Sequence, residues 1–130
     1  MALMNYREAN QVLWRGVRPA HNGTQIVKYI FACNNVTIIH TVSAGTTFHL
    51  CSFGLGVHTV AAGTINVAVR NAADVFQYYL AMAEIVAGVT TMPFQGTFWP
   101  PLEIPAGYDL VVQSNAVVLT VMGMCFGWEE

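Results

Sequence analysis

Charged side chains are scarce in this sequence of 130 residues. Five lysines and arginines and seven aspartates and glutamates make up 9% of the chain, with a net charge of −2, whereas an ordinary soluble domain has about 25%. So few basic residues form no positive patch for a phosphate backbone, and we expect no direct nucleic-acid partner. Hydrophobic residues reach 55%. This excess predicts an apolar patch that is buried against another subunit.

Long apolar runs are also missing. The longest nearly uninterrupted one, residues 117–128, has 12 residues with two glycines, whereas a membrane-spanning helix needs about 20. This run predicts a strand. Residues 1–8 contain no apolar core of a signal peptide. We therefore expect no membrane partner, and folding in a cytoplasm.

Motifs of catalysis and nucleotide binding are lacking as well. There is no Gly-x-Ser-x-Gly elbow and no cysteine in the context of a nucleophile with its histidine. Gly54-Leu55-Gly56 starts like a nucleotide-binding fingerprint but has no third glycine, so it predicts a flexible turn. The carboxylates are scattered and predict solvated charges at strand ends: Asp74, Glu84, Glu103 and Asp109. We expect no enzyme and no catalytic residue.

Cysteine and histidine do not have the spacing of a metal site. Three cysteines cannot all pair within one chain and show no Cys-x-x-Cys spacing, which predicts buried thiols at Cys33, Cys51 and Cys125. His40, His49 and His58 are nine residues apart, a spacing that does not support zinc binding. We expect partly buried or surface histidines, with no metal and no cofactor.

A short phrase with Ala-Gly recurs four times, at residues 41–45, 59–63, 84–88 and 103–107. Each predicts a turn, because glycine takes positive φ at little steric cost and an apolar or β-branched run follows. The runs between these turns predict strands near residues 10–18, 25–32, 35–42, 46–53, 64–70, 75–83, 89–95, 108–113 and 116–127. The predicted fold is an all-β, antiparallel, jelly-roll-like β-sandwich of about eight or nine strands. It forms a single domain over residues 1–130, of which residues 1–25 are open to interpretation as an extended N-terminal arm.

Two segments have a second interpretation. A three-residue loop at residues 43–45 predicts a hairpin in which Val36, Ile38, His40 and Val42 share a face with Phe48 and Leu50. Residues 75–86 fit a strand, but their apolar positions also fit a helix with its cap at Asn71 or Asp74.

The segment from residue 93 to 105 contains four prolines, which exclude a central strand and predict a loop or an edge. Its aromatic part, residues 94–99, predicts either a contact surface for protein or sugar, or rings that close the end of the sandwich core.

Two segments resemble a known group. TVSAGTTFHLCSF at residues 41–53 resembles a segment common in small virion proteins of tailed bacteriophages. PLEIPAGYDLVVQSNA at residues 101–116, which continues into residues 117–128, looks like the C-terminal hairpin of the same group. The resemblance implies a jelly-roll or TNF-like sandwich, often trimeric, that serves as a capsid decoration (cement) protein, a head fibre or a tail tip. It brings no catalytic residues.

We therefore expect a non-enzymatic virion structural protein, made in the host cytoplasm, that stabilises the capsid as a homotrimer. Its partners would be itself and the major capsid protein or another virion protein. The alternative is a receptor- or glycan-binding tip of a tail or head fibre that uses Trp99. A third interpretation is a ligand-binding barrel lined by rings such as Tyr78 and Phe48.

Overall fold

The computed structural model describes residues 23–33, 35–59, 61–88, 90–115 and 119–130. This part of the chain contains eight strands and no helix. The strands are β1 (Thr24–Cys33), β2 (Val36–Thr41), β3 (Phe48–Thr59), β4 (Gly63–Arg70), β5 (Phe76–Ile85), β6 (Thr90–Ile104), β7 (Asp109–Ser114) and β8 (Leu119–Glu129). Each corresponds to one predicted strand, in order. The predicted strand at residues 10–18 and most of the predicted arm lie outside the described residues.

The strands form two antiparallel sheets of four. One has the order β1-β8-β3-β6, and the other has the order β2-β7-β4-β5. All connections except that between β4 and β5 pass from one sheet to the other. Eight strands arranged in this order form a jelly roll. The predicted fold class is confirmed.

The hairpin predicted at residues 43–45 is wrong. β2 pairs with β7 and β3 pairs with β6 and β8, so the chain crosses between sheets at this turn. A register shift between Ile38 and His40 also turns Ile39 into the core and leaves Ile38 exposed. His40, Val42 and Phe48 nevertheless face the same core and are buried, because both sheets send side chains into it.

The core lies between the two sheets, where side chains of both inner faces meet. Its largest fully buried members are aromatic or branched: Phe48, Leu50, Leu55, Ile65, Ile104 and Leu110. Alternation sets these positions, since every second residue of a strand faces the same side.

Two strands extend further than predicted. Gly54-Leu55-Gly56 lies inside β3 and is not a turn, because Leu55 and Val57 continue the inward alternation and bury completely. β6 runs through the proline-rich segment as an edge strand of its sheet, so residues 94–99 belong to a strand and not to a loop. An edge strand tolerates proline because one row of its backbone N–H groups has no partner strand.

The turns follow the Ala-Gly prediction at three of four places. Gly45, Gly88 and Gly107 have positive φ, whereas Gly63 begins β4. The strand predicted at residues 75–83 is confirmed by β5, and the alternative of a helix over residues 75–86 is wrong. Asn71, considered as its cap, instead accepts hydrogen bonds from the backbone N–H groups of Ala73 and Val75 in the turn before β5.

Candidate interaction surface

The outer side of the first sheet carries a large exposed apolar surface. On β1, Tyr29 is 64% and Phe31 68% exposed, and on β8 Met122 is 64% exposed. Val27 and Met124 lie beside them and are nearly half exposed. We call these five side chains the apolar face. Together they expose roughly 500 Å², which is within the range of the largest patch on a typical monomer, often a functional one.

Strand pairing aligns the apolar face in rows across the sheet. Tyr29 pairs with Met124, and Met124 pairs on its other side with Gly54. One row further along, Met122 pairs with Gly56. In each row, a long side chain on β8 therefore lies beside a residue of β3 that has no side chain.

The central strand β3 leaves the middle of this surface low. Gly54 and Gly56 alternate with the buried Leu55 and Val57, so they face outward. A Cβ atom added at Gly54 would lie 3.9 Å from Cγ of Met124, an ordinary contact distance. Fold packing therefore does not require glycine at this position.

The sequence of β1 contains a signal for the apolar face. In β1, Ile26 and Ile30 pack against the core, while Tyr29 and Phe31 point outward. A strand that is apolar on both sides is typical of a sheet covered on both faces. The second sheet covers only one of these faces, and no other element of the described residues covers the outer side chains.

Trp99, at the end of the predicted aromatic segment, is 68% exposed on β6. Its neighbour Phe98 packs against Phe53 with ring centroids 5.9 Å apart. The two interpretations of this segment, contact surface and core, therefore each apply to one of these two adjacent rings. Phe98 contributes to the core and Trp99 faces outward. Gln95 and Thr97 are exposed on the same strand.

The three histidines within the described residues occupy different environments. His40 is buried, with Nε2 2.6 Å from Oε1 of Glu129. His49 lies on the outer side of β3 and stacks on Trp128, with ring centroids 4.9 Å apart. His58 is exposed near the end of β3. In the described part of the chain, no group of three or more histidine, cysteine, aspartate or glutamate residues could hold a metal ion.

Asp109 departs from the prediction that the carboxylates are solvated strand-end charges. It is buried, and its carboxylate accepts hydrogen bonds from Arg70 and from the hydroxyl of Thr41. Arg70 also contacts Asp74. These contacts join β2, β4 and β7, which is a structural role.

The three cysteines are buried as predicted. Burial raises the pKa of Cys51 and of Cys125 to about 11, and for Cys125 the neighbouring Lys28 offsets part of the effect. Burial also raises the pKa of Cys33. Thiols of this kind are poor nucleophiles at neutral pH.

The rings expected to line a ligand-binding barrel do not share an interior. Phe48 is completely buried in the sandwich core, whereas Tyr78 is partly exposed on the edge strand β5.

Comparison with protein-family models, with characterised proteins and with solved structures finds no match to this chain. Within the described residues, no helix has the length and apolarity to cross a bilayer.

Proposed function

We propose that this protein is a non-enzymatic structural protein of a bacteriophage virion, a capsid decoration (cement) protein that self-associates and stabilises the shell. Its partners are further copies of itself and the major capsid protein or another virion protein. The observation that carries the proposal is the apolar face on β1 and β8. The jelly-roll order of the strands and the two phage-like segments support it.

The apolar face is consistent with the high hydrophobic content of the sequence, because part of that content lies on the surface of the sheet. In a monomer, the side chains of Tyr29, Phe31 and Met122 would each remain about two thirds exposed to water. A second subunit removes this area from water, which contributes about 25 cal/mol per Å² before the cost of association. A closed oligomer with this face inside keeps polar strand ends and loops for contact with the shell. The resemblance implies a trimer as that oligomer.

The mechanism is mechanical. Decoration proteins of this kind bridge neighbouring capsid subunits, so the buried interface opposes their separation. The geometry to be bridged exists only in the assembled shell. The protein should therefore bind assembled capsids that lack their decoration protein and not free capsid subunits.

Light scattering behind size exclusion, followed by co-sedimentation with intact and decoration-stripped capsids, tests the proposal. We expect an oligomer that sediments only with stripped shells. Tyr29→Ser with Phe31→Ser should give a monomer, whereas Met82→Ser, at an equally exposed position of β5 in the other sheet, should not. A wild-type monomer that ignores stripped capsids would refute the proposal.

The alternative function, a receptor- or glycan-binding tip of a tail or head fibre, is favoured by Trp99. An exposed indole beside the polar side chains of Gln95 and Thr97 offers an apolar surface for a sugar ring and hydrogen-bonding groups for its hydroxyls. On this alternative, Trp99→Ala abolishes binding to an array of bacterial surface glycans and leaves the oligomer intact. Unchanged glycan binding by that variant, or none by the wild type, would exclude it.

A further inference from the structure

The apolar face has a high side and a low side. Tyr29 and Phe31 form a ridge on β1, with their rings packed edge to face at a centroid distance of 5.9 Å. Gly54 and Gly56 form the floor of a trough on β3, where half-buried backbone without a side chain lies between neighbouring side chains. Strand β8 lies between ridge and trough with Met122 and Met124.

Ridge and trough lie at matching levels along the strands. Tyr29 and Gly54 pair with the same residue, Met124, from its two sides. Rotation by 180° about an axis that runs over β8, parallel to the strands, therefore places the ridge of one copy above the trough of another. The same rotation places Met124 opposite Met124 of the second copy.

We propose that two copies associate through this face, with Tyr29 and Phe31 of each copy seated in the Gly54–Gly56 trough of the other. This inference rests on the self-association proposed above and adds which surfaces meet. Packed sheets lie about 10 Å apart, and a ring opposite bare backbone fills that gap without a clash. Two such contacts form around one two-fold axis, as in an isologous interface.

The residues favour a second copy as the occupant. The outward positions of β1, β8 and β3 around the ridge and trough carry no charged residue: Gln25, Val27, Tyr29, Phe31, Met122, Met124, Phe126, Ser52, Gly54 and Gly56. Two copies of the apolar face bury about 1,000 Å² in total, the lower bound for a specific interface. Because the ridge and the trough lie at the same level along the strands, the surface of one copy is complementary in shape to the same surface of a second copy.

The short distance between ridge and trough favours two copies over a ring of three. Both features lie on one face with a single strand between them, about 10 Å apart. One partner sheet of four strands covers that width. Two different partners, as a ring would require, could not both lie on it.

Exchange of the ridge and trough residues tests the proposal. Gly54→Tyr fills the trough and should raise the dissociation constant of the pair by about 30-fold or more, as loss of an interface hot spot does. Tyr29→Gly removes the ridge and should also weaken it. The double variant Tyr29→Gly, Gly54→Tyr restores a ridge opposite a trough and should return to within about tenfold of the wild type. Gly54→Ala is the matched control, and circular dichroism verifies that each variant folds.

The readout is light scattering over a dilution series, in which the wild type should have twice the chain mass of 14.2 kDa. An oligomer that withstands Gly54→Tyr, or a double variant that fails to recover, would overturn the ridge-in-trough contact and leave self-association intact. Three times the chain mass would overturn the two-fold arrangement and agree with the trimer of the resemblance. A monomer at all concentrations would overturn self-association itself.

Discussion

Nε2 of His40 lies 2.6 Å from Oε1 of Glu129, and this contact joins β2 of one sheet to β8 of the other. Both side chains are buried. The same glutamate oxygen accepts the backbone N–H of Ser43 at 3.1 Å, and the imidazole packs edge to face on Phe48. The pair therefore fixes the turn that carries the chain from the second sheet to the first.

Replacement of Glu129 should destabilise the fold in a pH-dependent way. Burial alone would raise the pKa of Glu129, but hydrogen bonds from Ser43 and His40, with the charge of His40, hold it below its ordinary value. Glu129→Gln removes the charge and should lower the free energy of unfolding at pH 7 by about 1–3 kcal/mol. Urea unfolding of both proteins measures the difference.

The direction of the pKa shift determines the sign of the pH effect. A glutamate whose folded pKa is lowered stabilises the fold fully above its unfolded pKa, about 4.3, and this contribution disappears as pH falls through the folded pKa. The wild type should therefore lose its advantage over Glu129→Gln below about pH 4. The control is Glu103→Gln at an exposed site. A difference for Glu129→Gln that stays constant down to pH 3 would contradict the assignment.

Gly127 should tolerate no side chain. A Cβ atom there would overlap the backbone oxygen of His49 and lie 2.7 Å from the Phe48 ring, so the paired backbones of β3 and β8 would have to separate. Gly127→Ala should cost about 3 kcal/mol or more of unfolding free energy. Gly54→Ala, where the nearest atom is 3.9 Å away, should be neutral or slightly stabilising, since alanine suits a strand better than glycine. Equal urea midpoints for the two variants would disprove the tight contact.

The three thiols should resist modification in the native state. Burial raises the pKa of Cys51 and Cys125 to about 11 and also raises that of Cys33, so at pH 8 almost none is in the reactive thiolate form. Ellman's reagent should modify them only slowly in buffer and all three rapidly in denaturant. Fast release of one equivalent of thionitrobenzoate from the native protein would show that one thiol lies at the surface.

The sequence predicted the strands and the fold class because alternation and Ala-Gly turns are local signals. It could not predict which strands pair. The hairpin expected between β2 and β3 does not form, since both strands have better partners far along the chain, β7 for β2 and β6 and β8 for β3. The sequence of a turn does not show whether the strands that it joins pair with each other or with strands distant in the chain.

The candidate site was only partly predictable. Composition indicated a hidden apolar patch, but its position depends on strand order, which brings residues near 29 beside residues near 124. An exposed aromatic contact surface was one of the two interpretations of residues 94–99, and Trp99 fits it. Gly54-Leu55-Gly56 was interpreted as a turn, because glycine is a common turn residue in sequence. In the folded sheet, its missing side chain instead leaves a depression in the surface of β3.

The β-bulge in β2 gives a direct test of where local alternation fails. Simple alternation places Ile38 in the core with His40, but the register shift exposes Ile38 to 45% and leaves Ile39 only 7% exposed. Ile39→Ala should therefore cost about 2–5 kcal/mol, as deletion of a buried isoleucine does, whereas Ile38→Ala should cost less than about 1 kcal/mol. The two residues are adjacent, of one type and in one strand, so propensity and unfolded-state effects nearly cancel in the comparison. Urea unfolding of both variants measures the difference, and a larger loss for Ile38→Ala would restore the unbulged register.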